Sequence, residues 1–159
     1  MASFEFLAII LSVLGLAASI TYYASVLGNQ NRTRQAQLFT QLYSDFRKPE
    51  NLQLLWKAMQ MEWSDYDEFT IKYSGTEHSE ERLPYTVWSM FYQQIGVLLK
   101  EGYIDINLVA QFLPDAFRNY WQKFKPIIYE HRERNDYPQY FTGMEYLYNE
   151  YCKYRGFDP

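Results

Sequence analysis

The chain has 159 residues and a formal net charge of −4 at pH 7, a mildly acidic balance that lacks the basic field used to bind nucleic acid. Cys152 is the only cysteine, so no disulfide can form within the chain, and a lone thiol suits a reducing compartment. Aromatic residues make up 19% of the sequence and supply enough large apolar surface for one compact core.

The first predicted element is an apolar helix near the N-terminus. No charged residue occurs between Glu5 and Arg32, and residues 6–27 read FLAIILSVLGLAASITYYASVL. Roughly 22 residues of helix are about 33 Å long, which is enough to cross a bilayer core of ~30 Å. We therefore predict a transmembrane helix over residues 4–27, followed by an aromatic-rich all-α domain over residues 28–159.

The charges that flank this helix predict its orientation. No Lys or Arg precedes it, whereas Arg32 and Arg34 follow it closely, and positive charge is retained on the cytoplasmic side. We expect a single-pass protein of the cell membrane, with its N-terminus outside and its C-terminal domain in the cytoplasm. A cleaved signal peptide is the alternative, but the missing positive n-region and the continuing apolar run disfavour it.

Small residues lie along one side of the predicted transmembrane helix. They recur at intervals of four, three and four positions: Ala8, Ser12, Gly15 and Ser19. At ~100° per residue they fall within about 60° of one another. Small side chains let helices approach closely in lipid, so we expect this face to contact a second copy of the chain or another protein. Chance placement of common small residues is the alternative.

Downstream of the span, apolar residues at helical spacing predict five to seven helices of unequal length. The long N-terminal helix runs on until Pro49 ends it. A second helix over residues 50–61 is expected to turn one apolar face inward, made of Leu52, Leu55, Trp56 and Met59. A short helix capped by Ser64 follows, and the polar residues 74–82 form a loop.

The second half of the chain carries the strongest helical patterns. Pro84 opens a helix that Gly102 ends, and Pro126 kinks or divides a later one. A final helix begins with a capping box at Thr142 and ends at Gly156. No strand pattern appears, so the fold class is all-α. The predicted core includes five large side chains: Trp88, Phe91, Ile95, Trp121 and Phe124.

A search for catalytic motifs finds none that specifies a reaction. The sequence lacks Gly-rich phosphate loops, HExxH and GxSxG, so we expect no enzyme activity, no metal and no cofactor. The densest polar group lies at residues 130–134, where the candidates for an acid–base or ligand site are His131, Arg132 and Glu133. The alternative is a charged helix end in which Glu130 pairs with Arg134.

The C-terminal part contains more aromatic residues than one core face can hold. They fall on several faces of the predicted helices, so some are exposed, and exposed tyrosines favour a protein partner or a membrane surface. The alternative is a core that keeps tyrosine hydroxyls at its rim. The candidates for a partner surface are Tyr137, Tyr140, Tyr146, Tyr154 and Phe157.

Several segments resemble a known family. The charge-free span is followed by TRQAQLF at residues 33–39, IGVLLKEGYIDINLV at 95–109, YWQKFKPIIYEHR at 120–132 and MEYLYNEY at 144–151. In this order they resemble a family of small archaeal and bacterial single-pass membrane proteins with a helical domain of unknown function. The resemblance covers most of the chain. It implies an anchored helical domain and supplies no catalytic residues.

Together these patterns favour a non-catalytic, membrane-anchored interaction or accessory protein, part of a membrane complex or tethered to one. Its expected partners are the membrane and either a protein or a second copy, reached through the transmembrane helix; nucleic acid is not expected. Two alternatives are a membrane-surface sensor that uses exposed Tyr and Phe, and a small-ligand binder or enzyme that uses the polar residues near His131.

Overall fold

The protein is all-helical in the part of the chain that the structure describes. The computed structural model describes the backbone of residues 2–158 and the side chains of residues 14–44 and 46–158. Within this backbone there are seven α-helices and no strand, which confirms the predicted fold class. The helices are α1 (Ala2–Phe46), α2 (Pro49–Gln60), α3 (Tyr66–Tyr73), α4 (Ser79–Lys100), α5 (Ile106–Phe112), α6 (Ala116–Arg134) and α7 (Thr142–Arg155).

The chain divides into two compact units, Met1–Gln37 and Leu38–Pro159. The first unit contains α1 only as far as Gln37, and this helix continues without a break to Phe46, as predicted. Among the side chains that the structure describes, no helix is both long and apolar enough to cross a membrane. Residues 4–13 of the predicted span lie outside those described side chains. The predicted boundary between residues 27 and 28 stays a prediction.

The core of the second unit is built around α4. This helix packs against α2, α3 and most extensively α7, and α7 also packs against α5 and α6. The buried residues form a cluster rich in aromatic rings. All five predicted core residues are buried in it: Trp88, Phe91, Ile95, Trp121 and Phe124. The core prediction is therefore confirmed.

α4 and α7 approach each other closely at a pair of glycines. A Cβ atom on Gly96 would lie 1.8 Å from the carbonyl oxygen of Gly143, so the two backbones touch. Next to this contact, the side-chain Oε1 of Gln93 accepts a hydrogen bond from the backbone N–H of Met144 at 3.0 Å. The crossing fixes the start of α7, and the connection that precedes it, against α4.

Pro84 and Pro126 both lie inside helices, whereas Pro84 was predicted to open one and Pro126 to kink or divide another. α4 begins at Ser79, so the predicted loop over residues 74–82 is shorter, and Pro84 does not open the helix. The N–H of Arg82 donates to the carbonyl of His78 at 3.0 Å, which completes a turn ahead of the proline.

α6 continues through Pro126 and is not divided. Residues on both sides of this proline, Phe124 and Ile127, are buried in the core. Their packing offsets the single backbone hydrogen bond that a proline removes.

The ends of two helices agree with the sequence, whereas one start does not. Gly102 and Gly156 follow α4 and α7 with φ of 73°, a left-handed conformation that glycine adopts without steric cost. Asp65, rather than Ser64, caps α3, because its side chain accepts from the N–H of Glu68 at 2.9 Å. The Glu68 carboxylate accepts instead from the N–H and hydroxyl of Ser64.

The face that α2 turns to the core agrees only in part with the one predicted, since Leu55 and Met59 pack against the core and Leu52 and Trp56 are exposed. Ala58 is fully buried and Leu55 packs against the core as expected, whereas Leu52 is 39% exposed and Trp56 is 70% exposed. Four of the five residues 52–56 are apolar, so their periodicity does not single out one face. The prediction that Leu52 and Trp56 face inward is wrong.

Candidate functional site

A groove of about 320 Å³ lies between α4 and the connection from α6 to α7, and we call it the aromatic groove. It is lined by Arg82, Tyr85, Thr86, Met90, Gln93, Tyr137, Gln139, Tyr140 and Phe141. Met90 is 52% exposed and Tyr137 is 49% exposed, so both present apolar surface to solvent. Tyr, Met and Arg are residue types enriched in protein interfaces.

The connection begins with a tight turn at the end of α6. Asp136 has a φ of 47°, and the N–H of Tyr137 donates back to the carbonyl of Arg132 at 3.0 Å. Asp is among the few residues other than glycine that tolerate this left-handed conformation. The turn carries Tyr137 into the wall of the groove.

The connection ends at Phe141, which also has a left-handed backbone, with φ of 52° and ψ of 33°. For a bulky residue this conformation costs roughly 1–2 kcal/mol, and such strain persists only where the surrounding packing holds it. The ring centroid of Phe141 lies 4.3 Å from that of Tyr140 and 6.1 Å from that of Tyr85. These two rings hold Phe141 in the groove wall.

The strained residue also explains why the predicted capping box at Thr142 is wrong. α7 begins directly after Phe141 and has no side-chain cap. The Thr142 hydroxyl donates to the carbonyl of Gln139 at 3.3 Å. The Glu145 carboxylate, which a capping box would use, binds Arg132 of α6 instead.

Tyr140 connects the groove to the core. Its ring lies 4.1 Å from the His131 ring, centroid to centroid, and its hydroxyl is 3.1 Å from that of Tyr85. Its backbone carbonyl accepts from Nε of Arg132 at 2.8 Å. Burial raises the pKa of the Tyr140 hydroxyl, so this side chain is neutral at physiological pH. Tyr140 is thereby fixed from three sides.

His131 supports Tyr140 from behind and is not part of the groove lining. Its Nδ1 lies 2.9 Å from the hydroxyl of Tyr66 on α3. Burial, together with the positive charge of Arg82, lowers the pKa of His131 below its ordinary value of 6.5. The imidazole is therefore neutral at pH 7 and acts as an aromatic and hydrogen-bonding contact.

Arg132 ties α6 to α7 beneath the groove wall. Its NH1 lies 2.7 Å from Oε2 of Glu145, and the Tyr129 hydroxyl donates to the other oxygen of the same carboxylate. Burial and the bond to Glu145 raise the pKa of Tyr129 to about 12. Glu133 is exposed. Of the three residues in the predicted polar site, the structure therefore brings together His131 and Arg132 through Tyr140.

Glu130 and Arg134 form an ion pair, as the alternative interpretation of residues 130–134 as a charged helix end predicted. Nε of Arg134 is 2.7 Å from Oε1 of Glu130, one turn earlier on α6. The guanidinium of Arg134 also pairs with Asp67 of α3 and lies 4.9 Å from the centre of the Tyr66 ring. These contacts join α3 to the end of α6.

Two of the five aromatic residues predicted as a partner surface line the aromatic groove. Tyr137 and Tyr140 lie together in the aromatic groove. Tyr154 is exposed, whereas Tyr146 and Phe157 are half-buried, and Phe157 packs under the guanidinium of Arg118 at 4.8 Å. Only the first two therefore belong to the candidate site.

Sequence reasoning missed the α4 side of the groove. Arg82, Thr86, Met90 and Gln93 recur at intervals of four, four and three, which places them on one face of a helix. That face lies opposite the strong apolar stripe, and a polar helix face is ordinarily solvated. The sequence feature that could have indicated this side of the groove is Met90, an apolar residue among polar residues at that spacing.

Among the described residues, no group of three or more His, Cys, Asp or Glu side chains is placed to hold a metal ion. Comparisons with curated proteins and with solved structures find no match. A protein-family model, described as a domain of unknown function (DUF4760), matches residues 3–151 and so covers all but the first residue of the long N-terminal helix and all the groove residues. The match spans nearly the whole sequence, and the chain belongs to the DUF4760 family.

Proposed function

We propose that this protein is a membrane-anchored, non-catalytic interaction protein that binds a protein partner in the aromatic groove. The observation that carries the proposal is the groove itself, in which exposed Tyr137 and Met90 stand beside Arg82. Tyr and Arg dominate the binding energy of protein interfaces, particularly where they line a preformed pocket.

The rigidity of the groove supports this role. Tyr140 is held by His131, Tyr85 and Arg132, and Phe141 is held in a strained backbone conformation. A partner that binds such a surface does not have to order these side chains, so less of the interaction energy is lost on binding. Strained residues also concentrate at binding and switch sites.

The chemistry of the lining indicates what the partner segment carries. Arg82 is the one charged residue among the described residues that line the groove, and the others are aromatic, apolar or neutral polar. The best-matched occupant is a peptide segment with an apolar side chain to pack between Met90 and Tyr137 and a carboxylate to meet Arg82.

We also propose that residues 4–27 anchor the protein in the cell membrane, with the C-terminal domain in the cytoplasm. Support comes from the absence of any charged residue over residues 6–27 and from the way the polar groups there are satisfied. The Ser19, Thr21 and Ser25 hydroxyls each donate to the carbonyl four residues earlier, at 2.8–2.9 Å. Hydroxyls bonded in this way need neither water nor a partner, so they are compatible with lipid.

The small-residue face of this helix stays a proposed contact with a second copy or another protein. Ala8 and Ser12 lie outside the described side chains. Gly15 has open space where a Cβ would be, and the Ser19 hydroxyl bonds to the Gly15 carbonyl rather than projecting from the helix. At Gly15 and Ser19, the two positions that the structure describes, no side chain projects far from this face, so another helix could approach it closely.

Two variants test the role of the groove. Tyr137→Ala with Met90→Ala removes the exposed apolar surface of the groove, and Tyr103→Ala with Val97→Ala removes an equally exposed pair elsewhere. We expect a genuine partner, co-isolated in mild detergent, to bind the groove variant with a loss of about 2 kcal/mol or more, roughly 30-fold in Kd. The control variant should retain it. Equal retention of every co-isolated protein by both variants would contradict the proposal.

A further inference from the structure

α2 exposes a tryptophan that the core does not use and, one turn before it, a partly exposed leucine that also lines a cavity beside Phe46 and Trp88. Trp56 is 70% exposed and Leu52 is 39% exposed, and four positions on a helix bring them within about 40° of each other. No ring or cation contact of Trp56 with any described residue is present. Tryptophan is amphipathic and is enriched where apolar and aqueous surroundings meet.

Three basic residues flank this apolar pair in the sequence, with one acidic residue, Glu50, between them. Arg47 and Lys48 directly precede α2, and Lys57 follows Trp56. A helix with an exposed Trp and Leu among Lys and Arg is the pattern of segments that lie in a membrane interface. We call the set of Arg47, Lys48, Leu52, Trp56 and Lys57 the basic face of α2.

The whole chain shows the same separation of charge. Residues 1–60 carry five Lys and Arg against three Asp and Glu, whereas residues 61–159 carry ten Lys and Arg against 16 Asp and Glu. An anionic leaflet attracts each basic residue near its surface by about 1 kcal/mol and repels acidic ones. The charge balance therefore favours contact through the first 60 residues, which include both the predicted anchor and α2, over contact through the rest of the chain.

We propose that the basic face of α2 rests on the anionic lipid surface of the membrane, with Trp56 inserted at the level of the headgroups. This inference rests on the proposed membrane anchoring and adds a second, reversible contact to it. Trp56 and Leu52 supply the apolar area, and Arg47, Lys48 and Lys57 supply the attraction to anionic lipid.

The geometry of α4 makes this contact compatible with the aromatic groove. The indole N–H of Trp88 donates to the carbonyl of Asn51 on α2 at 2.8 Å, whereas Met90 lines the groove. Two residues along a helix correspond to about 160° around it, so α2 and the groove lie on opposite faces of α4. A domain that rests on α2 therefore leaves its groove open to the cytoplasm.

The test uses the full chain in vesicles whose acyl chains carry bromine, which quenches nearby tryptophan. The difference between wild type and Trp56→Phe isolates the emission of Trp56, and Trp63→Phe serves as the control for a tryptophan that packs inside the domain. In vesicles of phosphatidylcholine with phosphatidylglycerol, we expect Trp56 to lose most of its emission. Phosphatidylcholine alone, high salt, or Arg47→Glu with Lys57→Glu should restore it.

Two results would overturn the proposal. Trp56 that is unquenched in anionic vesicles is not in contact with lipid. Trp56 that is shielded from an aqueous quencher but untouched by brominated lipid indicates a protein contact, such as a second copy. Alkaline washing of the same vesicles tests the anchor separately, since an anchored chain stays with the lipid whether or not Trp56 is quenched.

Discussion

At the scale of single residues, Gly96 sets how closely two helices can approach. We expect Gly96→Ala to destabilise the second unit by about 3 kcal/mol or more, because the new Cβ would meet the backbone of Gly143, which cannot rotate away. Thermal unfolding followed by near-ultraviolet circular dichroism measures the change.

Gly28→Ala is the matched control for this substitution. Gly28 is also helical, and nothing lies within 4 Å of the place where its Cβ would be. Alanine there should leave the melting temperature of the second unit unchanged, while favouring the helix by roughly 1 kcal/mol. A Gly96→Ala variant as stable as this control would show that the α4–α7 contact is looser than described.

His131 makes stability depend on pH. Its pKa is lowered by burial and by Arg82, so the unfolded chain takes up a proton before the folded one does. Its contribution to stability is therefore complete above the ordinary value of 6.5 and is lost as pH falls below it. We expect the melting temperature of the wild type to drop between about pH 7.5 and 5.5.

The His131→Gln substitution removes this titrating group, and its melting temperature is measured over the same pH range. His131 also contacts Tyr66, Tyr140 and Asn135, and the positive charge of Arg82 helps to lower its pKa. The variant should be less stable at pH 7.5 but should show a flatter profile down to pH 5.5. An equally steep profile in both proteins would assign the dependence to other groups.

The sequence predicted buried residues better than it predicted the site. Trp88 and Trp121 belong to long apolar stripes at helical spacing, and an apolar stripe of this kind is stable only when it is buried in the core. Tyr137 and Tyr140 were recognised as candidate contacts because excess aromatics cannot all be buried. Their partners Arg82 and Met90 are distant in sequence and lie on a polar face, so no local pattern links them.

At the scale of helices, α2 is held by a lysine from α6. Nζ of Lys123 donates to the carbonyls of Met59 and Met61 at 2.7 and 2.6 Å, where α2 ends. We expect Lys123→Ala to cost about 1–3 kcal/mol, because two carbonyls lose a charged donor. Chemical denaturation measures the loss.

Lys153→Ala provides the control for this change, since the Lys153 side chain is 80% exposed and its ion pair with Glu150 is 3.9 Å long. That variant should stay within about 0.5 kcal/mol of wild type. Similar losses for both lysines would mean that the end of α2 does not depend on Lys123.

Helix boundaries were predictable where a residue type has one strong role. Gly102 ends α4 because the left-handed turn suits glycine. Pro84 does not open α4 and Pro126 does not divide α6, because a proline removes one hydrogen bond, while burial of its neighbours contributes more. The local sequence pattern therefore predicted which helices exist. Where α4 begins and whether α6 is divided depend instead on packing between distant segments.

At the scale of the whole molecule, the small-residue face of α1 predicts association within the membrane. Gly15→Leu keeps the segment apolar but fills the space that the glycine leaves open. Crosslinking in native membranes should then give a weaker complex, while insertion is unchanged. A crosslinked species at wild-type yield would mean that this face is not a contact and that the helix serves only as a tether.

The account of the whole molecule combines a membrane anchor with a preformed groove that binds a protein. A photo-crosslinking amino acid placed at Tyr137, in native membranes, tests this claim most directly, with the same probe at Tyr103 as a control of similar exposure. We predict a discrete protein adduct from position 137 that Arg82→Glu abolishes, and none from position 103. Identical adducts from both positions, or none from 137, would contradict the account.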